Sequence, residues 1–193
     1  MANYQYVSHS PVIQHGQNLW QVHVKKSGIY TMQMKSMLDQ LEAFLTHYSQ
    51  VLVLRFDIGI PYQTNDNRFI IAVMENLSGF IKQRYKMPIF GYHWTREQER
   101  AKKQHYHVVV ILDANKVCYP SKINEFILEM GNTLGVRPWI PKNCFYRFKR
   151  YEHDKKQGAI WRMSYLAKAR GKGYKPPQTK NHASSRVKPK QIK

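Results

Sequence analysis

Acidic side chains, cysteine and long apolar runs are scarce in this sequence, and each shortage excludes something. Asp and Glu number 12 against 31 Lys and Arg, giving a formal charge of +19 and a pI near 10. Such a surface selects a polyanionic partner, nucleic acid first among them, the plain alternative being a lysine-rich face that only keeps the protein dissolved. The two cysteines, Cys118 and Cys144, lie far apart with no C-x-x-C spacing. That argues against a disulfide framework or a cysteine zinc site and leaves two reduced thiols. No apolar run approaches the roughly 20 residues of a spanning helix, and the N-terminal residues lack a signal peptide's apolar core. The expectation is a soluble, cytoplasmic protein with no membrane partner.

What is present is enough for one domain: 193 residues, 42% of them hydrophobic, can build a single proper core and not two. Residues 1–30 read as an N-terminal arm or edge strand, 31–170 as the folded domain, and 171–193, which hold no acidic residue, as a basic disordered tail. Within the domain, Met34, Met37, Leu38, Leu41, Phe44 and Leu45 recur at helical spacing over 31–48. A strand follows over 51–58, ended by Gly59 and Pro61. Asn65 or Asp66 then caps a helix running toward Pro88. Strands over 89–95 and 105–112 flank a charged loop, 96–104, longer than an ordinary hairpin connection. A helix from Ser121 closed by Gly135 and Pro138, a strand over 144–149 and a helix over 158–170 complete the set. The order α-β-α-β-β-α-β-α gives an α+β fold, an antiparallel sheet with helices packed mainly on one face.

His105-Tyr106-His107, leading into Val108-Val109-Val110-Ile111-Leu112, is the most informative motif. Strand side chains alternate, so both imidazoles point to one face, where two neutral rings can chelate one divalent ion on a rigid support. Nine histidines would produce an H-x-H by chance roughly 0.4 times per chain, so the bare spacing is weak. A metal needs at least one more protein ligand and open positions for substrate and water. Glu97 is the first candidate, since a strand paired with the His strand sets its carboxylate opposite the rings and adds an oxygen suited to Mg²⁺ or Mn²⁺. Glu99 is the fallback, and His93 the alternative if the strand runs differently. The bland reading of Glu97 is a solvated hairpin charge.

Tyrosine followed three residues later by lysine occurs at Tyr119/Lys122, Tyr146/Lys149 and Tyr165/Lys168. On a strand such positions face opposite ways, and Tyr119 precedes Pro120 outside its helix. On a helix they are neighbours, so Tyr165 and Lys168 share a face with Trp161 one turn earlier. A phenol attacks poorly at its free pKa near 10, and a nearby cation or metal-polarised phosphate makes attack feasible. Most tyrosines in such a place simply pack the ring with the hydroxyl at the surface.

The constellation of Trp94-Thr95-Arg96-Glu97, His105-Tyr106-His107 and Tyr165-Leu166-Ala167-Lys168, in that order, resembles the HUH endonucleases. More narrowly it is similar to the inovirus gene-II-type replication proteins and the YagK/YfjJ-like prophage proteins, whose first motif Leu54-Arg55-Phe56-Asp57-Ile58 also resembles. The resemblance spans about residues 51–170. It implies a ferredoxin/RRM-like antiparallel sheet flanked by helices, a Mg²⁺ or Mn²⁺ ion, and nicking of single-stranded DNA at a replication origin in a bacterial host cell, with covalent attachment through tyrosine. Rolling-circle replication would follow, with host helicase and polymerase as further partners. Carried over, His105 and His107 match the metal pair, Glu97 the acidic partner, Tyr165 the nucleophile and Lys168 its lysine. Arg55 and Asp57 match the first motif, as structural support or DNA contact. Arg55, Arg96, Trp161, Arg170 and Lys172 are the candidate DNA contacts. One departure stands out: Trp161 and Ala169 occupy places where some relatives carry a second tyrosine. The competing expectation is a ferredoxin-like module that binds single strands by stacking and phosphate contact without cutting. A structural protein would account for the charge, but not for two imidazoles meeting an acid.

Overall fold

The computed structural model describes residues 6–98, 103–172 and 175–191. Its elements are β1 (Val7–Ser8), β2 (Val12–His15), β3 (Asn18–Gln21), β4 (Ile29–Tyr30), α1 (Thr31–His47), β5 (Gln50–Gly59), α2 (Arg68–Tyr85), β6 (Gly91–Glu97), β7 (His105–Asp113), α3 (Ser121–Thr133), β8 (Arg137–Trp139), β9 (Phe145–Lys149), α4 (His153–Met163), a 3-10 turn (Ser164–Ala167) and β10 (His182–Ser184).

Six strands form one antiparallel sheet in the order β10-β6-β7-β5, with β8 and β9 both paired to the far side of β5. Because β7 is antiparallel to both its neighbours, β5 and β6 run parallel with β7 between them, and α2 makes the crossover. The run β5-α2-β6-β7-α3-β9 is therefore the split β-α-β of a ferredoxin-like fold, as the α+β reading anticipates. The three-residue β8, carrying Pro138 at the sheet edge where a missing donor is tolerated, was not foreseen.

Side-chain alternation sorts the core into two layers. Leu52, Leu54, Phe56 and Ile58 of β5, with Trp94, Tyr106, Val108 and Val110, pack under α2 and α3. Val51, Val53, Val109 and Ile111 pack on the other face under α1 and α4, joined by Trp20 and Ile13 of the β2–β3 hairpin. Helices on mainly one face is thus corrected. Strands β5 and β7 are apolar in both registers, so both faces must be covered. Residues 1–30 likewise are no loose arm where described: β2–β3 is a hairpin of its own, and Trp20, Val22 and Ile29 are buried.

The disordered tail is also corrected. Gly171, at φ +75°, turns the chain back in a conformation glycine adopts freely, and its carbonyl accepts the Gln98 N–H at 2.7 Å. β10 then covers the open edge of β6, pairing His182, Ala183 and Ser184 with Thr95, Trp94 and His93. Further on, the Val187 N–H donates to Gln40 and the Lys190 N–H to Thr46, both on α1. The segment is polar because it binds through its backbone and closes an exposed edge, which composition does not reveal. Removing residues 176–193 is expected to lower unfolding stability by about 2 kcal/mol, the net worth of a few hydrogen bonds. Urea midpoints and faster amide exchange in β6 would register it.

Candidate metal centre and nucleophile

The α1/α4 face changes character along its length. In β5 the inward residues are Val51, Val53, Arg55 and Asp57, and in β7 they are Ile111, Val109, His107 and His105. The register sets Val53 against Ile111 and Asp57 against His107, so the polar ends coincide. β6 adds Thr95 opposite His107 and Glu97 opposite His105. Past the edge of α1 and α4 the face is open, and there the three strands gather two imidazoles and two carboxylates.

Donor atoms of Glu97, His105 and His107 all lie within 4.8 Å of one another. Glu97 Oε2 is 3.4 Å from His105 Nε2 and 3.3 Å from His107 Nε2. Asp57 Oδ1 sits 2.8 Å from His107 Nδ1; with a carboxylate as acceptor the proton belongs on Nδ1, which frees the Nε2 lone pair. Asp57 is itself held by Arg55, whose Nε and Nη2 donate to its two oxygens at 3.2 and 3.0 Å. Burial opposes charge on His107, yet the Asp57 and Glu97 carboxylates raise its pKa. Burial would also raise Glu97, but the His105 and His107 rings beside it, with Lys172 further off, bring it down to about 2, so it is a carboxylate at any neutral pH. Two buried atoms here, His107 Nε2 and Glu97 Oε1, have no hydrogen-bond partner among the described residues. Orphans in a two-nitrogen, one-carboxylate set with one side open are what a divalent ion would satisfy, so the residues fit a metal.

The nucleophile candidate arrives from a different element than expected. The helix over 158–170 is in fact α4 ending at Met163, followed by the 3-10 turn with Tyr165, and Lys168 is already extended at φ −54°, ψ 138°. Residues i and i+3 eclipse in a 3-10 turn, so the pair still meets: Lys168 Nζ lies 3.5 Å from the Tyr165 ring centroid. The Arg55 guanidinium lies 4.1 Å from the same centroid. The ring stands edge-on to His107 at 5.0 Å.

A cleft of about 720 Å³ opens over these groups, lined by Glu97, His105, Tyr165, Lys168, Arg170 and the loop Lys25-Lys26-Ser27. That loop was missed. It arrives because Ile29 bridges to Lys168 and the Ala169 N–H donates to the Gly28 carbonyl at 3.1 Å, a contact with no local signal. Burial and repulsion from Lys25, with Glu97 opposing, bring Lys168 down to about 8.

Of the candidate DNA contacts, Arg170 lines the cleft and Trp161 lies beside Tyr165 in a second one. The others are corrected. Arg96 pairs with Tyr106 across the strands and faces the opposite layer, donating to the Thr64 carbonyl at 2.8 Å. Arg55 is 4% exposed and engaged with Asp57, which leaves it as support. Lys172 is 4% exposed and donates to Gln33 Oε1 and to the Leu166 carbonyl; burial lowers it to about 7 despite Glu97. Glu99 falls outside the described residues. His93 is not the third ligand: it is 3% exposed, 3.2 Å from Gln33 Nε2 and stacked on His182 at 5.7 Å.

Two measurements test this arrangement. Glu97→Ala is expected to abolish Mn²⁺ binding by calorimetry and Asp57→Asn to weaken it about 10- to 100-fold, while saturating Mn²⁺ raises the melting temperature of the unaltered protein. His93 supplies a pH effect. Burial, followed by the nearby His182 and Lys172, lowers its pKa from 6.5 to about 3, so below 6.5 the unfolded chain binds the proton that the folded one refuses. Its share of stability is present above pH 6.5 and falls by about 1.4 kcal/mol per unit below it. Urea midpoints of His93→Gln against pH should be flatter by that amount.

A family model described as the YagK/YfjJ C-terminal domain matches residues 14–135, a span that holds Glu97, His105 and His107 and stops short of Tyr165. No curated protein matches the chain.

Proposed function

The chain belongs to the YagK/YfjJ C-terminal domain family, and from that premise we propose that it is an HUH-type endonuclease of the inovirus gene-II kind, nicking and rejoining single-stranded DNA through a phosphotyrosine intermediate. The observation that carries the reading is the meeting of Tyr165 with the Glu97–His105–His107 triad, 5.0 Å between the Tyr165 and His107 rings, brought about by elements far apart in sequence.

Glu97, His105 and His107 would hold a Mg²⁺ or Mn²⁺ ion, which supplies Lewis-acid polarisation of a phosphodiester. The Tyr165 hydroxyl gives up its proton as its oxygen attacks phosphorus, an O–P bond forms, and the bond from phosphorus to one sugar oxygen breaks. That oxygen takes a proton and becomes a free hydroxyl end, and attack by such an end on the phosphotyrosine rejoins the strand. Lys168, protonated in the main at neutral pH, sets its charge beside the Tyr165 ring, and Lys25, Lys26 and Arg170 add cations around the same cleft where phosphate charge would collect. Asp57 fixes the His107 tautomer, with Arg55 behind it.

The reading extends to initiation of rolling-circle replication at an origin in a bacterial cytoplasm, with host helicase and polymerase as partners. The charge of +19 supports a polyanionic substrate, and among the described residues no helix is long and apolar enough to cross a membrane. With one tyrosine on the turn, a full cycle is finished by a second protomer, by water, or by a different termination route.

Labelled single-stranded DNA from the protein's own genome, incubated with Mn²⁺ and run on a denaturing gel, tests this. A cut strand with a covalent protein adduct is expected, lost in EDTA and slowed at least about a thousand-fold by Tyr165→Phe. DNA that is shifted but never cut, alike for both proteins, would establish a non-catalytic single-strand binder instead.

A further inference from the structure

The cleft over the triad is not the only one that Tyr165 lines. A second, of about 310 Å³, has Tyr165 and Arg55 in its wall together with His23, Trp139, Trp161 and Arg162. The four tryptophans of the chain divide sharply: Trp20 and Trp94 are 1% and 3% exposed, whereas Trp139 and Trp161 are 60% and 44% exposed. Single exposed aromatics need no explanation, but two indoles left in water within one cleft, with cations beside them, do.

The cleft is also built to hold its shape. Trp139 comes from edge strand β8 and Trp161 from α4, and Arg162 Nη2 ties the two walls by donating to the Lys142 carbonyl at 3.1 Å. His23 joins the aromatic surface, 5.2 Å from the Trp161 ring and within 18° of parallel to the Tyr165 ring at 6.3 Å. Rings therefore step from Tyr165 through His23 to Trp161, and among the described residues no carboxylate lines the space. Flat π-faces beside the Arg162 guanidinium on a protein of charge +19 match unpaired nucleobases, whose faces stack on indole while a phosphate meets the cation. Bases inside a duplex are already stacked and cannot enter.

We propose that this second cleft is a nucleobase subsite, in which one or two unpaired bases of a single DNA strand stack on Trp139 and Trp161 next to the phosphodiester at Tyr165. The assignment of that neighbouring phosphodiester rests on the nicking reading; the stacking does not. The subsite would set the strand's register over the triad and demand single-strandedness.

The test is a fluorescence titration of the full chain with an oligothymidylate in EDTA, where no cutting occurs. Because Trp20 and Trp94 are buried, quenching by the strand reports Trp139 and Trp161. Strong quenching is expected with the single strand and little with a duplex of equal length. Trp139→Ala and Trp161→Ala should each weaken binding roughly 5- to 100-fold and remove part of the quench, while Trp139→Phe and Trp161→Phe, which keep a stacking face, stay near the unaltered protein. Unchanged affinity and quench in both alanine variants overturn the subsite, even if the protein nicks DNA in Mn²⁺. Tryptophan-dependent binding by a protein that never cuts supports the subsite and overturns the nicking reading alone.

Discussion

Three donors converge on one backbone carbonyl, that of Leu166, and the site depends on them. Gln33 Nε2 of α1 reaches it at 3.0 Å, Thr95 Oγ1 of β6 at 3.1 Å and Lys172 Nζ at 2.6 Å. The carbonyl lies one residue past Tyr165, in a turn too short to hold itself in place by its own hydrogen bonds. Gln33 also donates to Thr95 Oγ1 at 2.7 Å and accepts from Lys172 at 3.1 Å. The four groups thus join α1, the sheet, the tyrosine turn and the start of the C-terminal segment at one buried point. All are desolvated, so loss of any one leaves the others unpaired at a cost larger than a single bond. The position of Tyr165 over the sheet is therefore a consequence of buried polar satisfaction, not of helix geometry.

The same face shows how a sheet can carry buried charge without losing its core. Over the first half of β5 and the second half of β7 the inward residues are valine and isoleucine under α1 and α4. Beyond that boundary they are charged, and each buried charge has a counter-charge: Arg55 holds Asp57, Asp57 holds His107, and His107 faces Glu97. An unpaired ion there would be prohibitive. The chain of pairs ends in two buried atoms without a hydrogen-bond partner among the described residues, His107 Nε2 and Glu97 Oε1, and Glu97 lines the cleft. The ferredoxin-like frame places α2 and α3 on the opposite layer, so this end of the sheet is free for a ligand.

Much of the frame was legible because local patterns carry it. Helix α1 begins at Thr31 as its apolar spacing requires, β7 begins at His105, and α3 begins at Ser121. The triad was legible too, since strand alternation aligns His105 with His107 and antiparallel pairing brings Glu97 across. The misreadings share one origin: they concern polar segments whose partners are distant. The lysines of residues 25–26, the break of the last helix before Tyr165, and the docking of residues 175–190 on β6 and α1 are decided by backbone hydrogen bonds that leave no periodicity. Arg55, Arg96 and Lys172 look like surface cations by composition, yet each has a carboxylate or carbonyl waiting inside the fold.

By itself the sequence determined the basic character, which is composition, and the central strands and helices from α1 to α3 with the facing of two imidazoles and one carboxylate, because these follow from side-chain periods of two and 3.6 residues. Only the tertiary structure brought Tyr165 against that triad, set the Lys25–Lys26 loop beside it, and placed two tryptophans from β8 and α4 in one cleft next to it. Those choices depend on packing between elements far apart in sequence, as in the 139-residue separation of Gln33 and Lys172, and contacts at such range are set by which buried polar groups can satisfy one another.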